Sequence, residues 1–269
     1  MKALGFQTIA SMCGGELLQG DASGVATSVS TDTRTIGEGA LYVALEGERF
    51  DGHRFVRQAV LNGAAGVMVS REPEGGFPEG VVVLRVDDTL AGLQNLAREY
   101  RRAVAPVGVA VTGSSGKTST KDMIAAVLGV KYNVRATRGN LNNHIGLPLT
   151  LLSHEEGESV GVWEMGMNSP GEIAVLAEIA KPEIGVVTNV GSAHLERMGT
   201  QRAIAAEKGA LVEALAEDGC AVLNANDEWT KVIEEKTVAT VLLAGIDAGE
   251  VRATAVESTG TGSRFGLEY

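Results

Sequence analysis

A glycine-rich turn that ends in a lysine and a hydroxyl side chain has the clearest potential for chemistry in this sequence. It reads Gly-Ser-Ser-Gly-Lys-Thr over residues 113–118, after an apolar run at 107–111 that predicts a buried strand and before a helical stretch at 118–128. A loop in that setting directs backbone N–H groups toward an anion at a helix N-terminus, where the helix dipole also favours negative charge. Lys117 can reach the β- and γ-phosphates of a nucleotide, and the Thr118 hydroxyl can bind Mg²⁺. The segment is therefore predicted to be a phosphate-binding loop.

The predicted loop departs from the usual eight-residue pattern, because the earlier glycine of that pattern would fall at Val111. An ordinary glycine turn with a solvated lysine is the alternative interpretation. The strand before the turn and the helix after it favour nucleotide binding. The residues predicted to contact the nucleotide are Gly113, Ser114, Ser115, Gly116, Lys117, Thr118 and Ser119.

Three ionisable residues follow in later elements. Glu164 ends an apolar run at 159–163, and a carboxylate at a strand end can join Thr118 as a ligand of Mg²⁺, which prefers oxygen donors. A surface glutamate is the alternative. His194 follows the next predicted strand, where a structural role is favoured because nitrogen is an uncommon ligand for Mg²⁺. Lys208 lies within a predicted helix, where a solvated lysine is the default interpretation.

A turn-rich segment with three asparagines, Asn140, Asn142 and Asn143, follows Thr137 and Arg138. Its amides can hold a polar substrate, or they can simply cap and turn the chain. The residue types favour both interpretations equally.

Two polar clusters lie closer to the N-terminus. An arginine and backbone amides in such clusters can bind a diphosphate or a carboxylate, and two ordinary turns are the alternative. The clusters consist of Ser30, Asp32 and Arg34, and of Asp51, Gly52 and His53.

The composition limits the class of protein. With 269 residues, 44% hydrophobic and 21% charged, the chain can form one large or two smaller globular domains. A net charge of −11 argues against a nucleic-acid-binding surface. Cys13 and Cys220 match no metal or redox spacing, which indicates reduced thiols in a cytosolic protein. The N-terminal stretch predicts an amphipathic helix, and no segment predicts insertion into a membrane.

The order of predicted elements indicates an α/β protein with two domains. Residues 1–86 predict a small α/β domain, and residues 87–269 predict a P-loop domain with a mostly parallel, doubly wound sheet that is incomplete. In such a sheet, ligands bind beyond the carboxyl ends of the strands. The predicted strands are 41–45, 66–69, 81–86, 107–111, 159–163, 184–189, 220–224 and 240–244, and the predicted helices are 54–62, 89–102, 118–128, 170–180 and 203–216.

Several of these motifs, taken together and in order, resemble the Mur ligase family. The family consists of ATP-dependent amide-forming enzymes that build the peptide stem of bacterial peptidoglycan. The sequences Gly-Ser-Ser-Gly-Lys-Thr-Ser-Thr-Lys-Asp, Gly-Asn-Leu-Asn-Asn-His-Ile-Gly-Leu-Pro-Leu-Thr and Glu-Met-Gly are most similar to the member that joins D-alanyl-D-alanine to UDP-N-acetylmuramoyl-tripeptide. The resemblance covers essentially the whole chain, through residues 112–120, 137–152, 163–171, 188–195 and 205–211.

The resemblance implies a role for each candidate residue. Lys117 would bind the γ-phosphate of ATP, Thr118 and Glu164 would hold one Mg²⁺, and His194 would contribute to a second metal site. Lys208 matches a lysine that CO₂ converts to a carbamate, so that it becomes a metal ligand. The expected catalytic residues are thus Lys117, His194 and Lys208. The two N-terminal clusters correspond to the side of the first domain that binds the uridine nucleotide.

The implied reaction has two steps. A peptide carboxylate attacks the γ-phosphate of ATP, and the amino group of D-alanyl-D-alanine then attacks the resulting acyl phosphate. The expected protein is a cytoplasmic monomer that uses ATP and Mg²⁺, with no nucleic-acid partner and no membrane insertion.

The chain departs from the family pattern in two respects. Many relatives carry an acidic residue two positions after the carbamylated lysine, where this chain has Ala210. Family members are also longer, and the resemblance implies a C-terminal domain that lies beyond these 269 residues and is needed for turnover. A nucleotide- or UDP-sugar-binding fragment without turnover and a related ligase for a different amino acid are the remaining alternatives.

Overall fold

The computed structural model describes residues 1–47, 50–260 and 262–269. They form two compact units. The first comprises Met1–Ala105 together with Pro148–Glu158, and the second comprises Pro106–Leu147 together with Ser159–Tyr269.

The first unit is built around a five-stranded sheet in the order β2-β9-β8-β5-β4. The pairs β4·β5, β5·β8 and β8·β9 are parallel, and β2 pairs with β9 in the antiparallel direction. The strands up to residue 86 are β1 (Leu4–Gly5), β2 (Glu16–Gln19), β3 (Val25–Ala26), β4 (Ser28–Ser30), β5 (Ala40–Val43), β6 (Glu46–Gly47), β7 (Phe50–Asp51), β8 (Ala64–Val69) and β9 (Val82–Arg85).

Among the described residues up to 105, three helices and a 3₁₀ turn accompany this sheet. They are α1 (Phe6–Cys13), the turn Gly52–Phe55, α2 (Val56–Leu61) and α3 (Thr89–Val104). Every residue of β5 is buried, which explains its continuous apolar sequence, and Tyr42 and Val43 are almost fully enclosed. The predicted helix at 54–62 is thus divided, because its first residues form the tighter turn.

The end of the first unit differs from the predicted boundary at residue 86. Helix α3 belongs to this unit, because it packs against α1 and buries Leu93, Leu96 and Tyr100. Its first turn is capped by the Asp88 carboxylate, which accepts the Ala91 N–H at 2.7 Å. Because the apolar face of α3 packs within the first unit, the boundary between the two units lies between residues 105 and 106.

The second unit contains an eight-stranded sheet in the order β11-β12-β10-β13-β14-β15-β16-β17. All pairs up to β16 are parallel, which confirms the predicted α/β class and mostly parallel sheet. The strands are β10 (Val107–Thr112), β11 (Val134–Ala136), β12 (Val160–Glu164), β13 (Ile184–Val187), β14 (Cys220–Asn224), β15 (Thr240–Ile246), β16 (Val251–Thr259) and β17 (Gly262–Glu268).

The helices after residue 105 connect these parallel strands. They are α4 (Lys117–Leu128), α5 (Gly146–Leu152), α6 (Glu172–Ala180), α7 (Leu195–Met198), α8 (Gln201–Glu213) and α9 (Thr230–Glu234). Within the described ranges, no helix combines the length and the apolar composition that crossing a bilayer requires.

The strand order shows where this sheet can bind a ligand. From β10 the chain passes to β11 and β12 on one side of β10, and then crosses to β13 on the other side. The carboxyl ends of β10 and β13 therefore flank a topological switch point, where open α/β sheets bind their ligands. The register pairs Thr112 with Val187, so Gly113 and Thr188 begin neighbouring loops at this point.

The last two strands differ from the rest of the sheet. The tail after residue 251, in which the sequence shows only strand-like pieces, forms an antiparallel hairpin of β16 and β17 at the sheet edge. The sheet is thus extended by one antiparallel pair beyond its parallel core.

Candidate nucleotide and metal site

The predicted phosphate loop joins β10 to α4 with the expected backbone shape. Gly113 and Gly116 have positive φ angles of 151° and 76°, and an ideal Cβ on Gly113 would lie 1.8 Å from the Thr188 Oγ1 atom. A side chain at residue 113 would therefore collide with the neighbouring loop, which explains the glycine. Gly116 is the N-cap of α4 and provides no side-chain cap. The first N–H groups of α4 therefore face an open helix N-terminus.

Glu164 lies at the centre of a hydrogen-bonded set at the end of β12. Its Oε2 atom accepts the Thr118 hydroxyl at 2.8 Å, and its Oε1 atom accepts the Asn142 amide at 2.8 Å. Its backbone N–H donates to the Thr137 Oγ1 atom at 3.0 Å. The carboxylate is buried, with 2% of the residue exposed. The predicted partners Thr118 and Glu164 are thus brought together, and one of the three asparagines joins them.

Lysine side chains approach the loop from two helices. The Lys117 ammonium donates to the Gly113 carbonyl oxygen at 3.0 Å. Lys208 in α8 is buried with 2% exposure, which is far from the solvated lysine that its helical position suggests. Burial and, to a smaller extent, the positive charge of Lys117 lower the pKa of Lys208 to about 8, although the charge of Glu207 opposes this. Lys208 is therefore set up to be neutral more often than an ordinary lysine.

Glu207 fixes the part of α8 that carries Lys208. Its two carboxylate oxygens accept the Gly171 N–H at 2.7 Å and the Ile173 N–H at 2.8 Å, at the start of α6. A carboxylate at a helix N-terminus is favoured by the free N–H groups and by the helix dipole. Both oxygens of the Glu207 carboxylate are thus occupied by backbone N–H groups of the neighbouring helix.

His194 takes a different position from the other candidates. It is exposed, adopts a left-handed φ of 65° and forms the N-cap of the short helix α7. It lines a cavity of about 570 Å³ together with Asn168 and Arg197. No hydrogen bond joins it to Glu164 or Thr118 among the contacts of the described residues.

The three asparagines of the turn-rich segment make different contacts, of which the capping contacts match one of the two predicted behaviours. Asn142 contacts Glu164, as described above. The Asn143 side chain instead accepts the N–H groups of Ile145 and Gly146 at 3.1 and 2.8 Å, and so caps the start of α5. Asn140 is exposed and accepts the Asn142 N–H at 2.8 Å through its backbone carbonyl.

In the first unit, Asp51 and His53 belong to a charged cluster. The His53 Nδ1 atom lies 2.8 Å from the Asp51 carboxylate, and its Nε2 atom accepts the Ser70 N–H at 3.0 Å. Arg71 binds Glu46 and, at 2.9 Å, Asp51. Burial opposes ionisation of Asp51, but the His53 hydrogen bonds and the Arg71 charge lower its pKa overall.

Gly52 is the close-packed member of the same turn. An ideal Cβ on Gly52 would lie 2.7 Å from the Leu45 carbonyl oxygen, and its own carbonyl accepts the Tyr42 hydroxyl at 3.1 Å. These contacts explain a glycine at this position of the cluster.

The second polar cluster of this unit forms one wall of a cavity of about 480 Å³. Hydrogen bonds from Arg34 lower the pKa of Asp32 to about 2, and the closest contact of the pair is 2.6 Å. Ser30 binds the Asp32 backbone with its hydroxyl at 3.1 Å. The stacked rings of Phe50 and Phe55, 5.2 Å apart, contribute apolar surface to the same cavity. This cavity can accommodate a ligand that carries a flat ring and an anionic group.

The donor set of the second unit fits a metal-bound nucleotide. The Thr118 hydroxyl and the Glu164 carboxylate provide oxygen ligands within 2.8 Å of each other, as Mg²⁺ prefers. The uncapped start of α4 and the Lys117 ammonium provide positive potential for phosphates. The site therefore has the groups for Mg²⁺ and a polyphosphate.

Fold and site together define a P-loop α/β protein, and comparison with known proteins identifies its family. Residues 111–268 match the Mur ligase middle domain, and residues 25–101 match the Mur ligase family catalytic domain. The first match alone covers more than half of the chain. The protein belongs to the Mur ligase family.

Similar proteins include UDP-N-acetylmuramoyl-tripeptide–D-alanyl-D-alanine ligases. The chain is 47% identical over 195 residues to the ligase of Bacillus subtilis (strain 168), covering 72% of this chain and 42% of that relative. It is 38% identical over 260 residues to the ligase of Escherichia coli (strain K12), covering 94% and 56%. The chain spans about half the length of the curated relatives it matches.

Solved structures of the same group share the fold. MurF from Acinetobacter baumannii superposes with a TM-score of 0.89 at 31% identity, covering 99% of this chain and 61% of that one. MurF ligase from Thermotoga maritima in complex with ADP superposes with a TM-score of 0.79 at 33% identity, covering 89% and 55%.

Three residues with clear contacts in the site were missed as individual candidates. Thr137 supports the Glu164 backbone, Glu207 anchors α8, and Asn189 binds the phosphate loop. Thr137 and Asn189 lie just beyond strand ends, and this position in the sequence indicates residues that can reach a ligand site. Nothing in the sequence distinguished the buried Glu207 from an exposed helical glutamate.

Proposed function

We propose that this chain supplies the nucleotide- and substrate-binding parts of an ATP-dependent ligase that joins D-alanyl-D-alanine to UDP-N-acetylmuramoyl-tripeptide. The observation that carries the proposal is the Thr118–Glu164 hydrogen bond at 2.8 Å beside the open N-terminus of α4. Support comes from the activity for which the similar proteins are named, and these proteins match this chain over 72% and 94% of its length. A cytoplasmic location accords with the nucleotide-linked substrates of that reaction.

In the proposed reaction, the peptide carboxylate attacks the γ-phosphorus atom of ATP. A bond forms between a carboxylate oxygen and phosphorus, the bond from phosphorus to the β,γ-bridging oxygen breaks, and ADP leaves. The amino group of D-alanyl-D-alanine then attacks the acyl carbon, inorganic phosphate leaves and the amine releases a proton. This sequence accounts for one ATP consumed per amide bond formed.

The chain's own residues bind and orient the phosphates in this scheme. Lys117 and the first N–H groups of α4 neutralise charge on the transferring phosphoryl group. Thr118 and Glu164 would hold Mg²⁺, with Asn142 and Thr137 keeping the carboxylate in place. Bound Mg²⁺ would supply Lewis-acid stabilisation of the phosphate oxygens. Together these groups lower the barrier mainly by alignment and electrostatics.

We further propose that Lys208 acts as a carbamate and that His194 contributes to a second metal site. A pKa of about 8 leaves about one Lys208 in ten neutral at pH 7, and the neutral amine is the form that attacks CO₂. Carbamylation would replace the positive charge of the Lys208 ammonium, which lies near Lys117, by a negative charge. The charge of Lys117, which disfavours the ammonium form of Lys208, would then stabilise its modified form.

The uridine nucleotide is assigned by this proposal to residues 1–86. The cavity bounded by Asp32, Arg34, Phe50 and Phe55 offers a stacking surface beside charged groups. An aromatic pair suits a planar base, and an arginine suits phosphate oxygens. Ser30 and the Asp51–His53 turn would order the surrounding backbone.

The test is ADP release by the natural polypeptide that contains these 269 residues. With Mg²⁺ and ATP, we expect release only when UDP-N-acetylmuramoyl-tripeptide is present, and steady turnover only when D-alanyl-D-alanine is added, because each step needs its acceptor. Glu164→Gln should reduce turnover strongly. Equal ADP release without the tripeptide substrate would contradict the proposal. Turnover with a shorter UDP-precursor and a different amino acid would instead indicate a related ligase.

A further inference from the structure

The loop after β13 makes a dense set of contacts with the phosphate loop. The Asn189 Oδ1 atom accepts the N–H groups of Ser114 and Ser115 at 3.1 and 3.0 Å, and its Nδ2 atom donates to the Ser115 hydroxyl at 2.7 Å. The Asn189 carbonyl oxygen also accepts the Ser114 N–H at 3.0 Å. Thr188 donates its hydroxyl to the Ser115 carbonyl oxygen at 2.6 Å. Two adjacent residues thus bind the N–H, the carbonyl and the hydroxyl of Ser115.

The phosphate loop has a structural reason to need external support. Only residues 113–116 separate the end of β10 from the start of α4, and Val111 stands where the usual pattern has its first glycine. A longer loop can wrap a phosphate with its own glycine-rich backbone. In this loop the two residues with positive φ angles are Gly113 and Gly116. The backbone groups of the intervening serines therefore need hydrogen-bond partners from neighbouring segments.

The loop after β13 is itself held from the adjacent strand. The Asn224 amide donates to the Thr188 carbonyl oxygen at 2.9 Å, and the Asp227 carboxylate accepts the Val190 N–H at 2.7 Å. The Gly191 N–H donates to the Ser114 hydroxyl at 2.8 Å. Asn189 therefore sits in a segment whose backbone is fixed on both sides of it.

We propose that Asn189 is a positioning residue that holds the shortened phosphate loop in the conformation that binds nucleotide. Because Asn189 occupies the N–H groups of Ser114 and Ser115, the phosphates bind the N–H groups at the start of α4 instead. Ser114 and Ser115 shape the loop rather than contact the nucleotide. This inference rests on the proposed function, since it requires nucleotide phosphates at this loop.

Competition between the Asn189 side chain and the nucleotide is the alternative interpretation. If the Asn189 side chain occupied the place of a phosphate oxygen, nucleotide would have to displace it, and removing the amide would strengthen binding. Displacement would break three side-chain hydrogen bonds and leave the fixed backbone behind. The geometry therefore favours support over competition, and the sign of the effect on affinity separates the two.

The experiment compares the affinity of Asn189→Ala and the unmodified chain for Mg·ADP by calorimetry. Loss of the amide contacts should weaken binding by roughly tenfold, because a net hydrogen bond contributes about a factor of ten. The matched control is Asn226→Ala. The Asn226 side chain also makes two bonds with one backbone segment, donating to the Ile246 carbonyl oxygen at 3.0 Å and accepting the Ile246 N–H at 2.7 Å. The control should leave the affinity for Mg·ADP unchanged.

A second variant keeps the test independent of folding. Asn189→Asp retains an acceptor for both serine N–H groups but adds negative charge near the phosphates. We expect a melting temperature close to that of the unmodified chain, weaker Mg·ADP binding, and a deficit that shrinks as salt screens the charge. Amide exchange of Ser115 in the unmodified protein should be slow with or without Mg·ADP.

The outcomes separate this inference from the proposed function. If the unmodified chain binds no Mg·ADP, the proposed function fails at this site. If it binds Mg·ADP and Asn189→Ala binds equally well or more tightly, the positioning role is overturned while the proposed function stands. Rapid exchange of the Ser115 amide would also overturn the positioning role.

Discussion

Replacing Lys117 by alanine should weaken Mg·ATP binding by roughly 100-fold, since a charge-assisted contact to phosphate contributes about 3 kcal/mol. The ammonium lies at the start of α4, 3.0 Å from the Gly113 carbonyl oxygen, and that bond can be exchanged for phosphate oxygens. Phosphoryl transfer should be abolished, because the lost charge also stabilises the transition state. The measurement is calorimetric titration with Mg·ATP, followed by an assay of ADP release.

The control for this variant is Lys131→Ala. Lys131 is an exposed lysine that lies 5.3 Å from the Tyr132 ring centroid. Its removal changes the net charge equally but should leave nucleotide affinity intact. Undiminished Mg·ATP binding by Lys117→Ala would show that the loop does not bind phosphate as proposed. The variant should also raise the pKa of Lys208, because the Lys117 charge is one cause of its depression.

Replacing Lys208 by methionine should remove ligase activity and, relative to the chain in which Lys208 is not carbamylated, make the fold more stable at neutral pH. The side chain is almost fully enclosed, and burying an ammonium there is unfavourable. Methionine fills a similar volume without a charge. We therefore expect a higher melting temperature for Lys208→Met at pH 7 and an activity loss of roughly 100-fold or more, typical of a lost catalytic group.

The pH dependence of stability follows from the direction of the Lys208 shift. Its pKa is lowered from 10.5 to about 8 in the folded chain. Between these values the unfolded chain binds more protons, so the Lys208 contribution to the free energy of unfolding rises with pH. The destabilisation of about 3 kcal/mol present below pH 8 should therefore be relieved by about pH 10.5. The stability advantage of Lys208→Met should shrink over this window in thermal unfolding experiments.

The proposed carbamate is tested with Lys208→Ala. A short-chain carboxylic acid should restore part of its activity, because the acid can occupy the place of the carbamate. Full activity of Lys208→Ala without any added acid would end the proposed role. A melting temperature that falls in Lys208→Met at pH 7 would contradict the energetic account of the buried ammonium.

The sequence allowed the phosphate loop and its Glu164 partner to be placed because both lie at strand ends. Parallel strands direct their carboxyl ends to one edge, so the apolar runs before Gly113 and Glu164 are sufficient to bring them close. Lys208 could not be recognised as buried from its own helix. Its enclosure depends on the packing of α8 against α6, α9 and β13, which is a tertiary property.

Side-chain contacts within loops were less accessible to sequence reasoning. The asparagine segment favoured substrate binding and capping equally, and the structure assigns Asn143 to capping and Asn142 to Glu164. The boundary after residue 86 was misplaced because α3 has helical periodicity that matches either neighbour. Its contacts with α1 and β8 assign it to the first unit.

Calorimetric titration of the chain with ATP in the presence and absence of Mg²⁺ tests whether Thr118 and Glu164 form a metal site beside the phosphate loop. Glu164→Gln is the informative variant, because glutamine preserves the shape and an acceptor for Thr118 but removes the charge that a metal requires. We expect one nucleotide per chain, binding that strengthens when Mg²⁺ is added, and loss of that strengthening in Glu164→Gln. Binding that is equally tight without Mg²⁺, or a full Mg²⁺ effect in Glu164→Gln, would contradict the assignment of Thr118 and Glu164 as the metal site.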